Sequence, residues 1–162
     1  MVIHPIAPVY DENSKVLILG SFPSVKSREA CFFYGHPQNR FWKLLASIYE
    51  EDVPVTVEEK RAFLLRHSIA VWDVIKSCDI TGSSDASIKN VVPNDLSIIL
   101  STANIRNIYV NGQTAYKYYE KKYSKQLIKR EAICLPSTSP ANAAWDMDRL
   151  KSEWIQIKGE KV

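Results

Sequence analysis

Residues 16–24 of this 162-residue chain, VLILGSFPS, decide the fold. The run VLIL at 16–19 is apolar throughout and lacks the alternation of a strand with one solvent-exposed face. A short continuous run of this kind is typical of a strand covered on both faces, as in a parallel sheet. Similar runs follow along the chain, so we predict strands at 16–19, 69–72, 108–110 and 132–135.

Helical patterns separate the predicted strands. Phe41, Leu44, Leu45 and Ile48 have the spacing of an amphipathic helix, and Pro37 suits its first turn. The predicted helices occupy 37–48, 56–66 with a Thr56–Glu59 capping box, 94–100 capped by Asn94, 112–123 and 147–157. Because strand and helix alternate, we expect one α/β domain over 1–162, with three α/β/α layers and a central, mostly parallel four-stranded sheet.

Composition narrows the class of protein. With 46% hydrophobic and 24% charged residues, the chain has the make-up of a globular domain. Surface scaling predicts that roughly 70% of its surface is buried on folding. No apolar run approaches the roughly 20 residues of a membrane helix, and residues 1–15 lack the pattern of a signal peptide. We therefore expect a cytoplasmic protein without a membrane partner.

Cysteine usage and charge point to no particular ligand. Cys31, Cys78 and Cys134 have neither CxxC nor Cys/His spacing, so we expect no metal, no cluster and no disulfide, and cysteines that are buried or half-buried. The net charge of +3 is compatible with DNA without requiring it. The densest basic stretch is predicted to be a solvated face, with a phosphate track as the alternative, and comprises Lys121, Lys122, Lys125, Lys129 and Arg130.

Polar residues follow each predicted strand. GSFPS at 20–24 follows the first, Asp73 the second, Asn111 and Gly112 the third, and PSTSP at 136–140 the fourth. Open parallel sheets bind ligands beyond the carboxyl ends of their strands. The sequence therefore predicts a site at this edge of the sheet.

A specific motif lies between the first predicted strand and the first predicted helix. Residues 36–42 are HPQNRFW, preceded by an aromatic at Tyr34, with GSFPS upstream and LPSTSPANA at 135–143. This combination resembles the uracil-DNA glycosylase superfamily. HPxNRFW is shared with the mismatch-specific branch, and GSFPS with STSPANA is similar to the hypoxanthine (deoxyinosine) branch. The resemblance runs from about Lys15 to Trp154.

The resemblance implies a hydrolase that flips a deaminated base out of DNA and cleaves its N-glycosidic bond, leaving an abasic site. Hypoxanthine, uracil or both are the implied bases, and no cofactor or metal is implied. No lysine lies within the motifs in a place suited to a Schiff base, so we expect a monofunctional enzyme. The expected partner is double-stranded DNA, with single-stranded DNA as a second form, and we expect a monomer.

The resemblance assigns catalysis to Asn39 and Asp73. The Asn39 amide would position the attacking water or donate to the leaving base, since it offers a donor and an acceptor. The Asp73 carboxylate would accept from the ring N–H of the base or act as general base for the water. Each has a structural alternative, as a capping or loop-bracing residue for Asn39 and as a turn cap for Asp73.

The base itself is assigned to four further residues. Tyr34 would stack on the flipped base, with a role as a core aromatic as the alternative, and Phe22 would line the same pocket. His36 would donate to the base or to a phosphate, unless it only makes a structural hydrogen bond. Asn111 would contact the base edge or the water.

DNA phosphates are assigned to hydroxyl residues of two loops, because hydroxyls and loop amides are apt phosphate donors. These residues are Ser21, Ser24, Ser137, Thr138 and Ser139.

The chain departs from the family pattern in both loops. Uracil enzymes usually carry Asp, Glu or Asn in the first motif to orient water, whereas this chain has Ser21 and Phe22, which moves that role towards Asn39. Where relatives carry a Leu or Arg wedge, residues 140–142 offer only Pro, Ala and Asn. A non-catalytic DNA-binding relative is therefore one alternative. A small nucleoside or nucleotide hydrolase of α/β fold is another, since it explains the polar strand ends equally well.

Overall fold

The computed structural model describes residues 1–122 and 130–159, with elements numbered along the chain. Its central sheet has four parallel strands, β2 (Val16–Gly20), β3 (Ile69–Asp73), β6 (Asn107–Asn111) and β7 (Ala132–Leu135). They lie in the order β3-β2-β6-β7. β2 and β3 are buried along their whole length, as their unbroken apolar runs predict. The predicted α/β fold with a parallel four-stranded sheet is confirmed.

A second, antiparallel sheet is absent from the sequence prediction. It contains β1 (Val2–Ile3), β4 (Ile75–Asp79) and β5 (Lys89–Pro93) in the order β1-β4-β5. β1 has only two residues and β5 is largely exposed, so neither shows an apolar pattern. Only Val74 separates β4 from β3, and the second sheet therefore brings the residues after β1 to the end of β3.

Helices flank the central sheet. They are α1 (Val25–Ala30), α2 (Phe41–Tyr49), α3 (Val57–Arg66), α4 (Ser97–Leu100), α5 (Gln113–Lys122) and α6 (Met147–Trp154), with 3-10 turns at Asp85–Ser87 and Ile155–Lys158. The predicted capping box is present, because Thr56 and Glu59 bond each other's backbone N–H groups. No helix among the described residues is long and apolar enough to cross a membrane.

Two predicted helix starts are wrong. α2 begins at Phe41, so Pro37 lies in the turn before it. α4 begins at Ser97 instead of after Asn94, because the buried Asn94 side chain donates to the Asp73 carbonyl oxygen at 2.9 Å. The short helix α1 is not predicted at all, and the predicted end of α5 at Tyr123 lies outside the described residues.

The cysteine prediction holds for two of three residues. Cys78 is buried and Cys134 is half-buried, whereas Cys31 is exposed. Cys31 is the C-cap of α1 and has a left-handed backbone conformation with φ of 54°, which turns the chain at the surface. All three are free thiols.

The basic stretch is only partly a solvated face. Lys121 is exposed, but Arg130 donates to the carbonyl oxygen of Ile105 at 2.8 Å and so braces the chain ahead of β6. Lys125, Lys129 and the side chain of Lys122 lie outside the described residues.

Candidate active site

The loops that follow the four parallel strands surround a cavity of about 870 Å³. A cavity of this size lies in the range of small-ligand sites. Segments 83–85 and 113–114, which the sequence motifs do not implicate, also line it. Every residue predicted for the site is in its wall: Ser21, Phe22, Ser24, Tyr34, His36, Asn39, Asp73, Asn111, Ser137, Thr138 and Ser139.

Asp73 ends β3 at the cavity, and its side chain is buried. Its Oδ2 atom accepts a hydrogen bond from His4 Nε2 at 2.7 Å, whereas no donor of the described residues bonds Oδ1. Gly20 ends the neighbouring strand β2, and a Cβ atom there would lie 2.4 Å from Asp73 Oδ1, so this position requires glycine. The cavity thus contains a buried carboxylate with one oxygen engaged and the other able to accept.

Tyr34 lies beside Asp73 in a strained conformation, with a positive φ of 54° that is uncommon for a bulky residue. One face of its ring stacks on Phe41, with the ring centroids 4.0 Å apart, and no other ring of the described residues covers the second face. Burial of the hydroxyl and the nearby Asp73 charge raise the pKa of Tyr34 far above its ordinary value, against a smaller opposing effect of Asn111. The Tyr34 ring is therefore neutral and lies in the cavity wall, stacked on Phe41.

A buried threonine links the two asparagines of the site. Thr138 Oγ1 donates to Asn39 Oδ1 at 2.8 Å and accepts from Asn111 Nδ2 at 3.0 Å, and the Thr138 N–H donates to Asn111 Oδ1 at 3.1 Å. Asn111 thus uses Oδ1 and one Nδ2 hydrogen within the fold, so its contact with the base edge or the water stays a prediction, whereas the full burial of Thr138 argues against a phosphate contact. Because Asn39 Oδ1 also accepts the Phe41 N–H at 3.0 Å, the available group of Asn39 is the donor Nδ2.

His36 combines the two roles that the sequence left open. Its Nδ1 accepts the Gln38 N–H at 3.1 Å, so this nitrogen carries no proton. The ring proton is then on Nε2, which no acceptor among the described residues engages. His36 has a structural hydrogen bond and still offers a donor in the cavity wall.

The serines predicted at phosphates fall into two groups. Ser137 and Ser139 each accept a backbone N–H from two residues further on, both at 3.1 Å, and no acceptor in the described part of the chain engages their O–H groups. The Ser21 hydroxyl has no partner among the described residues. Ser24 instead caps α1 by accepting the Ser27 N–H at 3.1 Å and donating to the Ser27 hydroxyl, so its side chain is used within the fold.

Known proteins are similar to this chain over most of its length. The Uracil DNA glycosylase superfamily matches positions 7–157. The chain belongs to this superfamily. It is 39% identical to a hypoxanthine DNA glycosylase of Methanosarcina barkeri (strain Fusaro / DSM 804) over 151 residues, which cover 92% of this chain and 93% of that protein.

Two further comparisons involve Methanosarcina acetivorans. A hypoxanthine DNA glycosylase of that organism is 35% identical over 162 residues, covering 97% of this chain and 98% of that protein. A solution NMR structure from the same organism, provisionally named a uracil DNA glycosylase, has a TM-score of 0.81 at 34% identity and covers 97% of both chains. The predicted family is therefore confirmed, and so is the prediction of a DNA glycosylase over a non-catalytic DNA-binding relative or a nucleoside hydrolase.

The superfamily membership also fits a monofunctional hydrolase. A glycosylase that cuts the strand uses an amine, commonly lysine, as the nucleophile that forms a Schiff base with the sugar. No lysine of the described chain lines the cavity.

Arg40 of the glycosylase motif has a role that the sequence does not reveal. Its guanidinium donates to the carbonyl oxygens of Ser139 at 2.9 Å and Asn142 at 3.1 Å, and also to those of Thr138 and Trp145. Arg40 lies within HPQNRFW and its acceptors lie in and just after the STSP loop, so one side chain joins the two family motifs. It fixes the loop that carries Ser137 and Ser139.

His4 is the other residue that sequence reasoning missed. It lies before the matched positions 7–157 and belongs to no motif. It reaches Asp73 only because β1 pairs with β4 in the second sheet. No pattern in the sequence indicates that pairing.

Asp85 adds a carboxyl group to the far rim of the cavity. Asp85 lies in a loop whose Ser83 hydroxyl accepts the Val25 N–H at 2.9 Å. Burial raises the pKa of Asp85, and a hydrogen bond with Thr114 opposes the rise. Asp85 and Thr114 thus meet across this rim of the cavity.

Proposed function

We propose that this DNA glycosylase removes deaminated bases, hypoxanthine first among them, from double-stranded DNA and acts as a monomer. The observation that carries the proposal is Asp73 Oδ1, an acceptor in the cavity wall next to Tyr34 that no donor among the described residues bonds. A carboxylate suits the N1–H of hypoxanthine or the N3–H of uracil, and opposes adenine, whose N1 is itself an acceptor. The names of the two curated relatives support hypoxanthine.

The chemistry follows from the groups that remain available. The flipped base stacks on Tyr34 and donates its ring N–H to Asp73. As the C1′–N bond stretches, charge develops on the base, and Asn39 Nδ2 donates to it. Water adds to C1′ of the oxocarbenium-like sugar, the C1′–N bond breaks, and one proton of the water passes to the released base. The products are an abasic site and free hypoxanthine.

The STSP loop would bind the DNA backbone. Ser137 and Ser139 have O–H donors available for phosphate oxygens. Pro140 and Ala141 are exposed at the loop tip, whereas Asn142 donates to the Ser137 carbonyl oxygen at 3.0 Å and is held back. A plug as small as Pro140 and Ala141 fills little of the space that the flipped base vacates.

The reaction is tested with labelled duplexes that contain a single deoxyinosine, deoxyuridine or deoxyadenosine, treated with alkali after incubation. We expect alkali-dependent cleavage at deoxyinosine and none at deoxyadenosine. The deoxyuridine duplex measures how far the site extends to uracil. Absence of cleavage at both deoxyinosine and deoxyuridine would contradict the proposal.

The role of Asn39 is tested by Asn39→Asp. This change keeps the Oδ1 atom that Phe41 and Thr138 bond and replaces the donor Nδ2 with a carboxylate oxygen, which can only accept and is negatively charged. We expect the single-turnover rate constant to fall by about 100-fold to 1,000-fold, the effect of losing one donor to a developing charge. Asn104→Ala, at an exposed site outside the cavity, is the matched control and should retain the parent rate constant.

A further inference from the structure

His4 and Asp73 form a buried pair at the cavity. The His4 Nε2 and Asp73 Oδ2 atoms are 2.7 Å apart, and the two side chains are 3% and 5% exposed. Burying a carboxylate is unfavourable unless a donor stabilises its charge. Among the described residues, His4 is the only side chain that donates to the Asp73 carboxylate.

The hydrogen bonds of His4 define where its proton lies. Nδ1 accepts the Ile6 N–H at 3.2 Å, so Nδ1 carries no proton. The ring must then carry its proton on Nε2, which faces Asp73. His4 therefore acts as a donor to Asp73 Oδ2 and leaves Oδ1 as a pure acceptor.

Both partners are held on rigid elements. The His4 N–H donates to the Lys76 carbonyl oxygen at 2.8 Å, in continuation of the pairing of β1 with β4. The His4 ring lies edge-on to Phe22, with centroids 5.8 Å apart, and 6.1 Å from Phe33. Functional groups keep their geometry when a supporting shell locks their rotamers in this way.

We infer that His4 is a positioning residue that bonds Asp73 Oδ2, fixes the orientation of this side chain and leaves its Oδ1 atom for the ring N–H of the base. The inference rests on the proposed function and narrows its substrate class. Bases with an N–H at the position of hypoxanthine N1 are accepted. Adenine is refused because its N1 has no hydrogen, and 1-methylhypoxanthine is refused because a methyl group replaces that hydrogen.

Two variants separate the donor from the shape of His4. His4→Phe keeps a ring against Phe22 and Phe33 but has no donor, whereas His4→Gln has an amide N–H near the position of Nε2. On a deoxyinosine duplex we expect His4→Phe to lower the single-turnover rate constant by roughly 10-fold to 100-fold, the range for one hydrogen bond to a charged group. We expect an unchanged Kd for the same duplex, and recovery of most of the rate constant in His4→Gln.

The control is His67→Phe, because His67 contacts a carboxylate at the other edge of the sheet and should leave the rate constant unchanged. Thermal melting of each variant measures any loss of stability. Equal losses of rate in His4→Phe and His4→Gln, or none in either, would overturn the positioning role. So would cleavage of 1-methyldeoxyinosine at the rate of deoxyinosine by the parent.

A second measurement holds even if the parent removes no base, an outcome that would contradict the proposed function alone. In ¹⁵N NMR spectra of the imidazole groups, we expect the His4 proton on Nε2 and slow to exchange with water. A proton on Nδ1 would overturn the inference whatever the activity.

Discussion

Two histidine–carboxylate pairs lie at opposite edges of the parallel sheet. At the carboxyl edge, His4 and Asp73 are 2.7 Å apart and almost fully buried. At the amino edge, His67 lies between α3 and β3 and bonds Glu51 at 2.5 Å, with side-chain exposures of 17% and 30%. Distance alone would rank the second pair as the stronger one.

The difference lies in what remains available after the pairing. Glu51 has both oxygens occupied, Oε1 by Arg66 and Oε2 by His67, and His67 also stacks on Tyr49 with centroids 3.9 Å apart. The Glu51 carboxylate therefore has a purely structural role, in which it links the ends of α2 and α3. Asp73 has one oxygen, Oδ1, that no donor among the described residues bonds, and its side chain lies in the cavity wall. An incompletely satisfied group inside a shaped space is a better indicator of function than a short contact.

The largest effect is expected when the spare oxygen is altered. Asp73→Asn keeps the shape of the side chain but replaces one carboxylate oxygen by an amide nitrogen. We expect the single-turnover rate constant on deoxyinosine DNA to fall by about 100-fold or more, since a designed acceptor is lost and the charge is removed. Glu51→Gln is the matched change at the other edge of the sheet. A comparable loss of the rate constant in that variant would show that the two pairs do not differ in function.

Gly20→Ala tests the space around the same oxygen. The new Cβ would lie 2.4 Å from Asp73 Oδ1 and 3.0 Å from the Tyr34 hydroxyl, so the side chains of Asp73 and Tyr34 must shift. We expect a loss of about 1–3 kcal/mol in the free energy of unfolding, as for other overpacked sites, together with reduced activity. Gly35→Ala, whose nearest neighbour would be Ser27 Cα at an ordinary 3.4 Å, should change both much less. Unfolding of both variants in denaturant measures the two losses in the free energy of unfolding.

An arginine at each edge extends the comparison. Arg40→Lys keeps the charge but loses the planar fork that reaches the Ser139 and Asn142 carbonyl oxygens, and we expect a loss of about 1–2 kcal/mol with weaker binding of lesion DNA. Arg66→Lys alters only an exposed pair with Glu51 and should cost less than about 0.5 kcal/mol. Similar losses in the two variants would show that Arg40 does not organise the loop.

The smallest effect concerns pH at the amino edge. The hydrogen bond from Arg66, and then that from His67, hold the pKa of Glu51 below its ordinary value of 4.5. A carboxyl with a lowered pKa stabilises the fold above its ordinary value, and that contribution disappears as pH falls through the lowered pKa. We expect Glu51→Gln to lower Tm slightly at pH 7 and to match the parent well below pH 4.5. A constant difference in Tm at every pH would contradict the assignment.

The sequence predicts the parallel sheet well and the second sheet poorly, for a physical reason. β2 and β3 are buried on both faces, so their sequences must be apolar throughout. β1 has two residues at an edge and its position depends on pairing with β4, which backbone hydrogen bonds determine and side-chain pattern does not.

The candidate site, like the fold, is predicted only in part by the sequence. Motif and strand order bring Tyr34, Asn39 and Asp73 to one cavity, as predicted. Which atoms of each residue remain available cannot be predicted, because it depends on partners distant along the chain. Only the Nδ2 donor of Asn39 remains available, because Phe41 and Thr138 both bond its oxygen.

The contacts that build the cavity have a consequence for folding. Asn39 and Thr138 are 99 positions apart along the chain, Arg40 and Trp145 are 105 apart, and His4 and Asp73 are 69 apart. Contacts of such long range form late, because much of the chain must be ordered before they close. A growing polypeptide therefore has no working pocket until the STSP loop has joined the sheet, and partly folded molecules have no means of extracting bases from DNA.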